Sequence, residues 1–117
     1  MKKTIPVKKN YEFHRVFRKG AFFAGKYIIL YVLKNYRGDS RLGITTSKKV
    51  GNSVRRNRLR RLIKENYRLY EDVIKEGYDL VFVARNSPTM PDFYDIKKEM
   101  KFLLKKLKVF DEEKGIV

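Results

Sequence analysis

The sequence predicts an α/β fold of the α+β two-layer kind, a small and mostly antiparallel sheet of about four strands packed with three helices. Three observations predict it. Apolar residues recur at helical spacing from Leu59 to Ile74 and again from Phe93 to Leu107. Residues 27–33 and 78–84 are short runs rich in β-branched and aromatic side chains. Helical and strand-like segments alternate, and a half-apolar sheet of this size must bury one face against helices. The chain has 117 residues, which fits one domain spanning 1–117, and a chain of that size buries about two-thirds of its unfolded surface.

Residues 1–9 are basic and contain Pro6, which reads as an extended arm. Residues 10–19 read as a short helix with Asn10 as its N-cap, because Phe13, Val16 and Phe17 share one face; Gly20 ends it. Residues 27–33 form the first clear strand. Arg37-Gly38-Asp39-Ser40 is turn chemistry and Leu42 to Ser47 the returning strand, so a hairpin is the simplest connection. Gly51-Asn52-Ser53 breaks that strand, with Ser53 as the predicted cap of the next helix. Gly77 stops this helix, residues 78–84 form a buried strand, and residues 86–91 with their two prolines form a loop before the last helix.

Composition excludes several functions. There is no cysteine, hence no disulfide, thiol catalysis or cysteine zinc site, and the single histidine, His14, argues against a Ser-His-Asp triad and reads as an exposed helix residue. No apolar run approaches the roughly 18 residues of a membrane span. The basic start lacks a signal peptide's apolar stretch, so a cytoplasmic protein with no membrane partner is expected.

With 29 Lys+Arg against 13 Asp+Glu, the net charge is +16. Residues 1–70 hold 20 basic and 3 acidic side chains, and residues 71–117 hold 9 and 10. The first 70 residues therefore carry the whole positive field. A field of one sign repels itself, and a phosphate-rich partner would remove that penalty. Nucleic acid is the leading reading; a merely solubilising or membrane-attracted surface is the alternative.

The densest feature is the segment 48–61, in which seven of fourteen residues are basic and none is acidic. Taking roughly 100° per residue from Leu59, the residues Leu62, Ile63, Tyr67, Tyr70 and Ile74 fall on one side. Asn57, Arg58, Arg60, Arg61, Lys64, Glu65 and Arg68 fall on the other. Arg55, Arg56 and Arg58 crowd a first turn that ordinarily prefers acidic side chains. Exposed structural helices usually mix the signs of their charges, and broken local rules concentrate at functional sites. Free backbone N–H groups and forked guanidiniums at a helix start suit polyphosphate. A strand rather than a helix precedes Gly51, which argues against helix-turn-helix readout of DNA and for RNA or backbone binding.

At these residues the sequence resembles the bacterial ribonuclease P protein component. The resemblance rests on Arg56-Asn57-Arg58-Leu59-Arg60-Arg61-Leu62-Ile63-Lys64-Glu65, on the lead-in Ser47-Lys48-Lys49-Val50-Gly51-Asn52, and on Phe13-His14-Arg15-Val16-Phe17-Arg18-Lys19-Gly20. Arg60 and Lys64 stand where the family varies between Lys and Arg. The resemblance implies binding to a large catalytic RNA and to precursor tRNA, whose 5′ leader the complex removes. The RNA and Mg²⁺ then supply the chemistry, and the protein alone is inactive. It implies a catalytic-RNA surface at Lys48, Lys49, Asn52, Arg55, Arg56, Asn57, Arg58, Arg60, Arg61, Lys64 and Arg68. It also implies a leader cleft between the first helix and the sheet, with aromatics at Phe13, Phe17 and Tyr31, and a left-handed strand-helix-strand crossover.

The residues themselves agree with such a division. A single strand needs aromatic faces for its bases and cations for its phosphates, and Arg15, Arg18 and Lys19 accompany Phe13 and Phe17. The competing reading makes Phe13, Val16 and Phe17 plain core. A protein nuclease would need clustered carboxylates or a general base. The basic part of the chain holds only Glu12, Asp39 and Glu65, mutually out of reach in this reading. Asp92 and Asp95 have the spacing of a metal pair but open a helix after Pro91, so they read as cap residues. No catalytic or metal-ligating residue is therefore expected in the protein. The runner-up is a ribosomal or other structural RNA-binding protein, and an autonomous metal nuclease is disfavoured.

Overall fold

The computed structural model describes residues 4–47 and 49–114. In chain order it contains β1 (Thr4–Pro6), α1 (Asn10–Lys19), β2 (Ala21–Ala24), β3 (Ile28–Lys34), β4 (Ser40–Thr46), α2 (Ser53–Tyr70), β5 (Tyr78–Ala84) and α3 (Phe93–Lys106). Short 3-10 turns follow α2 at Glu71–Val73 and close the described chain at Glu112–Lys114. Among the described residues no helix is long and apolar enough to cross a membrane.

The α+β sandwich is borne out, with corrections to its sheet. The sheet has five strands, not about four, in the order β1-β4-β5-β3-β2. It is mixed: β1–β4 and β4–β5 are parallel, β3–β5 and β2–β3 antiparallel. The expected hairpin between residues 27–33 and 42–47 does not form, because β5 lies between them. The reason is burial. Leu80, Val81 and Phe82 of β5 are fully buried, and a strand apolar on both faces belongs in the middle of a sheet. The chain reaches that position by the crossover β4–α2–β5, since parallel neighbours need a long connection. Extended structure at the start of the chain is present at Thr4–Pro6, which pairs with Ser40–Leu42 of β4 as the outer strand.

Strand alternation sorts the side chains into two faces. Ile28, Leu30, Val32, Leu42, Leu80, Phe82 and Ala84 face α2 and α3 and meet Leu59, Ile63, Tyr67, Ile96, Met100, Leu103 and Leu104 in one core. On the other face lies α1, whose one buried residue is Val16; Val7 and Val81 are buried as well and lie outside the main core. Gly43 of β4 permits the close approach of α1: a Cβ there would sit 2.7 Å from Phe13 Cε1. The N-cap of α1 is Lys9, not Asn10, and that of α2 is Asn52, not Ser53. Asn52 accepts from the Arg55 N–H at 2.9 Å. The α-helix of α2 ends at Tyr70, and Ile74, expected on its apolar face, is instead buried in a bridge to Phe110.

Candidate nucleic-acid interface

The predicted phase of α2 holds: Leu59, Ile63, Tyr67 and Tyr70 are buried and Leu62 is half-buried. On the opposite side Asn57, Arg58, Arg60, Arg61, Lys64 and Arg68 are exposed, with Glu65 the lone carboxylate among them. The first turn of α2 contains no acidic residue. Val54, Asn57, Arg58 and Arg61 line an open depression of about 570 Å³. Lys49 is exposed, whereas Lys48 lies outside the described residues.

Three of the predicted arginines of α2 have protein partners. Arg55 donates from Nη2 to the Ser87 carbonyl at 2.6 Å, and Arg56 donates from Nη1 to the Gly51 carbonyl at 3.0 Å. Both are half-buried and brace the loops flanking the helix start. Arg60 spans from Asn57 Oδ1 at 3.2 Å to Thr46 Oγ1 at 3.5 Å, which ties the basic face to the end of β4. Arg58, Arg61, Lys64 and Arg68 are exposed and have no hydrogen-bond or ion-pair partner among the described residues.

The second group lies on the α1 face of the sheet. Phe13 and Phe17 are 6.3 Å apart between centroids, Phe17 meets Tyr31 edge-on at 4.9 Å, and Phe22 stacks on Tyr31 at 5.1 Å with 25° between planes. Four rings therefore run from α1 across β3 to the edge strand β2. Phe13 and Tyr31 are half-buried, but Phe17 is 36% and Phe22 59% exposed. The pure-core reading therefore fits Val16 and partly Phe13, and does not fit Phe17. Arg18 and Lys19 are exposed in the last turn of α1, as is His14 one turn earlier. Sequence reasoning missed Phe22, because β2 was not read as a strand. The aromatic pair in Ala21-Phe22-Phe23-Ala24, directly after the helix-ending Gly20, was its signal.

Arg15 has a different job. Its Nη2 donates to Asp79 Oδ2 at 3.2 Å beneath α1. Asp79 is fully buried and also accepts from Asn35 Nδ2 at 2.9 Å, with Arg41 Nε 3.4 Å away. Arg41 in turn lies 2.5 Å from Glu12 Oε2. The Lys9 backbone N–H, and then the Arg41 guanidinium, hold the Glu12 carboxyl below its usual pKa despite the opposing effect of burial. Two charges from α1 and two from the sheet thus interlock, fixing the helix that carries Phe13 and Phe17.

Asp39 lies 3.9 Å from Arg37, and Asp92 and Asp95 cap α3 by reciprocal bonds of 2.8 and 3.0 Å. Among the described residues no three His, Cys, Asp or Glu side chains could jointly hold a metal ion.

A family model described as Ribonuclease P matches residues 1–108. The ribonuclease P protein component of Clostridium botulinum (strain Loch Maree / Type A3) is 48% identical over 110 residues, covering 93% of this chain and 99% of that protein. That of Clostridioides difficile (strain 630) is 50% identical over 105 residues, covering 89% and 92%. The chain belongs to the ribonuclease P protein family. The solved RNase P protein of Staphylococcus aureus superposes with a TM-score of 0.81 at 34% identity, over 90% of this chain and 96% of that one. The Thermotoga maritima RNase P protein does so with a TM-score of 0.74 at 29% identity, over 88% and 94%. Ribonuclease P is an endoribonuclease holoenzyme of tRNA processing, and this chain is of the kind that forms its protein subunit.

Proposed function

We propose that the two surfaces divide the work of that subunit. The exposed face of α2, which carries Arg58, Arg61, Lys64 and Arg68, docks on the catalytic RNA. The row Phe13, Phe17, Tyr31 and Phe22, flanked by Arg18 and Lys19, holds the single-stranded 5′ leader of precursor tRNA. The observation that carries this reading is the different chemistry of the two faces. One is a row of exposed cations along the length of α2 with no aromatic ring among them, suited to a folded phosphate backbone. The other is a run of exposed rings, suited to splayed bases.

Cleavage of the leader is assigned to the RNA. That assignment is supported by the engagement of Glu12 and Asp79 with arginines, and of Asp92 and Asp95 with backbone N–H groups. Mg²⁺, when bound, supplies charge stabilisation and an activated water at the scissile phosphate, and its ligands would come mainly from the RNA. This chain's own residues screen phosphate repulsion, hold the leader in line and extend the contact with substrate.

The test is cleavage of precursor tRNA by the protein alone, by the cognate RNA alone and by both, at low Mg²⁺. Activity is expected only with the RNA, and is greatest with both. Cleavage by the protein alone would make it an autonomous nuclease. Equal cleavage with and without it would leave a structural RNA-binding protein.

A further inference from the structure

The edge strand β2 joins two aromatic surfaces. All four of its residues are exposed. Its register sets Phe22 opposite Tyr31, on the α1 face, and Phe23 opposite Leu30, whose side chain lies in the core beneath α3. Consecutive phenylalanines therefore stand on opposite faces of the same free edge. Phe23 meets Phe102 of α3 at 5.8 Å, edge to face, and Lys106 Nζ lies 5.3 Å from the Phe23 centroid. Phe102 is 52% exposed. Lys98 and Lys105, one turn to either side of it on α3, are exposed as well.

The carboxylates of α3 do not oppose these cations. Asp92 and Asp95 cap the helix, and Glu99 accepts the backbone N–H groups of Lys26, Tyr27 and Ile28 at 2.7, 2.8 and 2.7 Å. What remains outward is rings and lysines. Phosphate-bearing single strands fit that chemistry, because bases stack on the rings and ammonium groups meet the phosphates.

The two surfaces are also in sequence along one path. Arg60 ties the basic face of α2 to Thr46 of β4. β2 lies three strand spacings from β4, roughly 14 Å across the sheet. A strand laid along the α1-face row crosses Phe17, Tyr31 and Phe22 and arrives at the β2 edge. Peptide groups on the outer side of an edge strand have no ladder partner and can hydrogen-bond to it.

We propose that a long leader turns over the β2 edge and continues onto Phe23, Phe102 and Lys106. This second patch then binds the nucleotides furthest from the cleavage site. The inference rests on the leader reading given above and extends it to the opposite face of the sheet.

The test is equilibrium binding of three substrates to the reconstituted holoenzyme. The substrates are mature tRNA, a precursor with a short leader sufficient only for the α1-face row, and a precursor with a long leader. Phe102→Ala should weaken the long leader by roughly 5-fold or more, the loss expected for one stacked base, and leave the other two unchanged. Lys106→Ala should weaken the long leader alone and lower its salt dependence. Both side chains are at the surface, and unchanged melting temperatures verify the fold. Unchanged long-leader binding in both variants overturns the proposal. An equal loss on all three substrates also overturns it, and gives the patch to the catalytic RNA or to a second copy of the chain. Phe17→Ala separates this proposal from the reading beneath it, since it should weaken short and long leaders alike and spare mature tRNA. If it does so while Phe102→Ala is silent, only the extension fails. If it does not, the leader cleft itself is wrong, whatever the distal variants do.

Discussion

Arg41 of β4 and Asp79 of β5 stand opposite each other in the parallel register, buried, with Nε 3.4 Å from Oδ1. Arg15 and Glu12 of α1 close on this pair from above. A buried charge that loses its partner is strongly destabilising, by about 3–5 kcal/mol. Asp79→Asn should lower unfolding free energy by an amount of that order in a denaturant titration. Arg18→Ala, at the exposed end of the same helix, should change it little.

The same cluster sets an acid limit. The folded-state pKa of Glu12 lies below its unfolded value, so its contribution is present above the unfolded pKa and is lost as pH falls through the folded one. Glu12→Gln should flatten the acid limb of a melting temperature–pH curve.

Tyr67 sets a limit at the alkaline end. Burial pushes its phenol up to about 12, against an ordinary value of 10.0. A raised folded pKa gives stability that is whole below the unfolded value and declines between the two. The difference corresponds to about 2–3 kcal/mol. Melting temperature should fall from pH 10 upward, and Tyr67→Phe should fall less steeply over that interval.

The two sides of α2 predict opposite phenotypes. Ile63 is fully buried, and Ile63→Ala should reduce stability by about 2–5 kcal/mol. Arg61→Ala, on the exposed side, should melt like the parent and bind the catalytic RNA less tightly. The logarithm of affinity should fall linearly with the logarithm of salt, by about 0.7–0.9 per phosphate contact. Loss of Arg58 or Arg61 should reduce that slope by about 1.

The helices were legible because their signals are local. The apolar positions of α2 and α3 recur within a few residues, and the basic face follows from the same phase. Strand partnership is not local. Arg37-Gly38-Asp39-Ser40 marks a reversal but does not say which strand lies alongside, and burial of Leu80, Val81 and Phe82 on both faces settles that only in three dimensions. Asn66 was hidden for a related reason. It sits in the middle of the buried face of α2, a polar residue made tolerable by donation to the Leu62 and Phe93 carbonyls at 3.0 and 3.1 Å. In the interface, composition could count arginines but not their partners. Arg15 and Arg55 look like RNA ligands in the sequence and are turned inward by Asp79 and Ser87 in the fold. Phe22 escaped because β2 is four residues long and joins the aromatic row only through its pairing with β3.

The division of labour between the two faces is tested most directly by measuring two variants on two ligands. Phe17→Ala and Arg58→Ala holoenzymes are titrated with leader-bearing precursor tRNA and with mature tRNA, after melting curves verify both folds. Loss of one stacked base, about 1–3 kcal/mol, predicts that Phe17→Ala weakens precursor binding by about 5- to 150-fold and leaves mature tRNA and assembly unchanged. Arg58→Ala should weaken assembly with the catalytic RNA, and with it both ligands equally. A folded Phe17→Ala protein that loses precursor and mature tRNA to the same extent would contradict the account and place Phe17 at the catalytic-RNA interface or in the core.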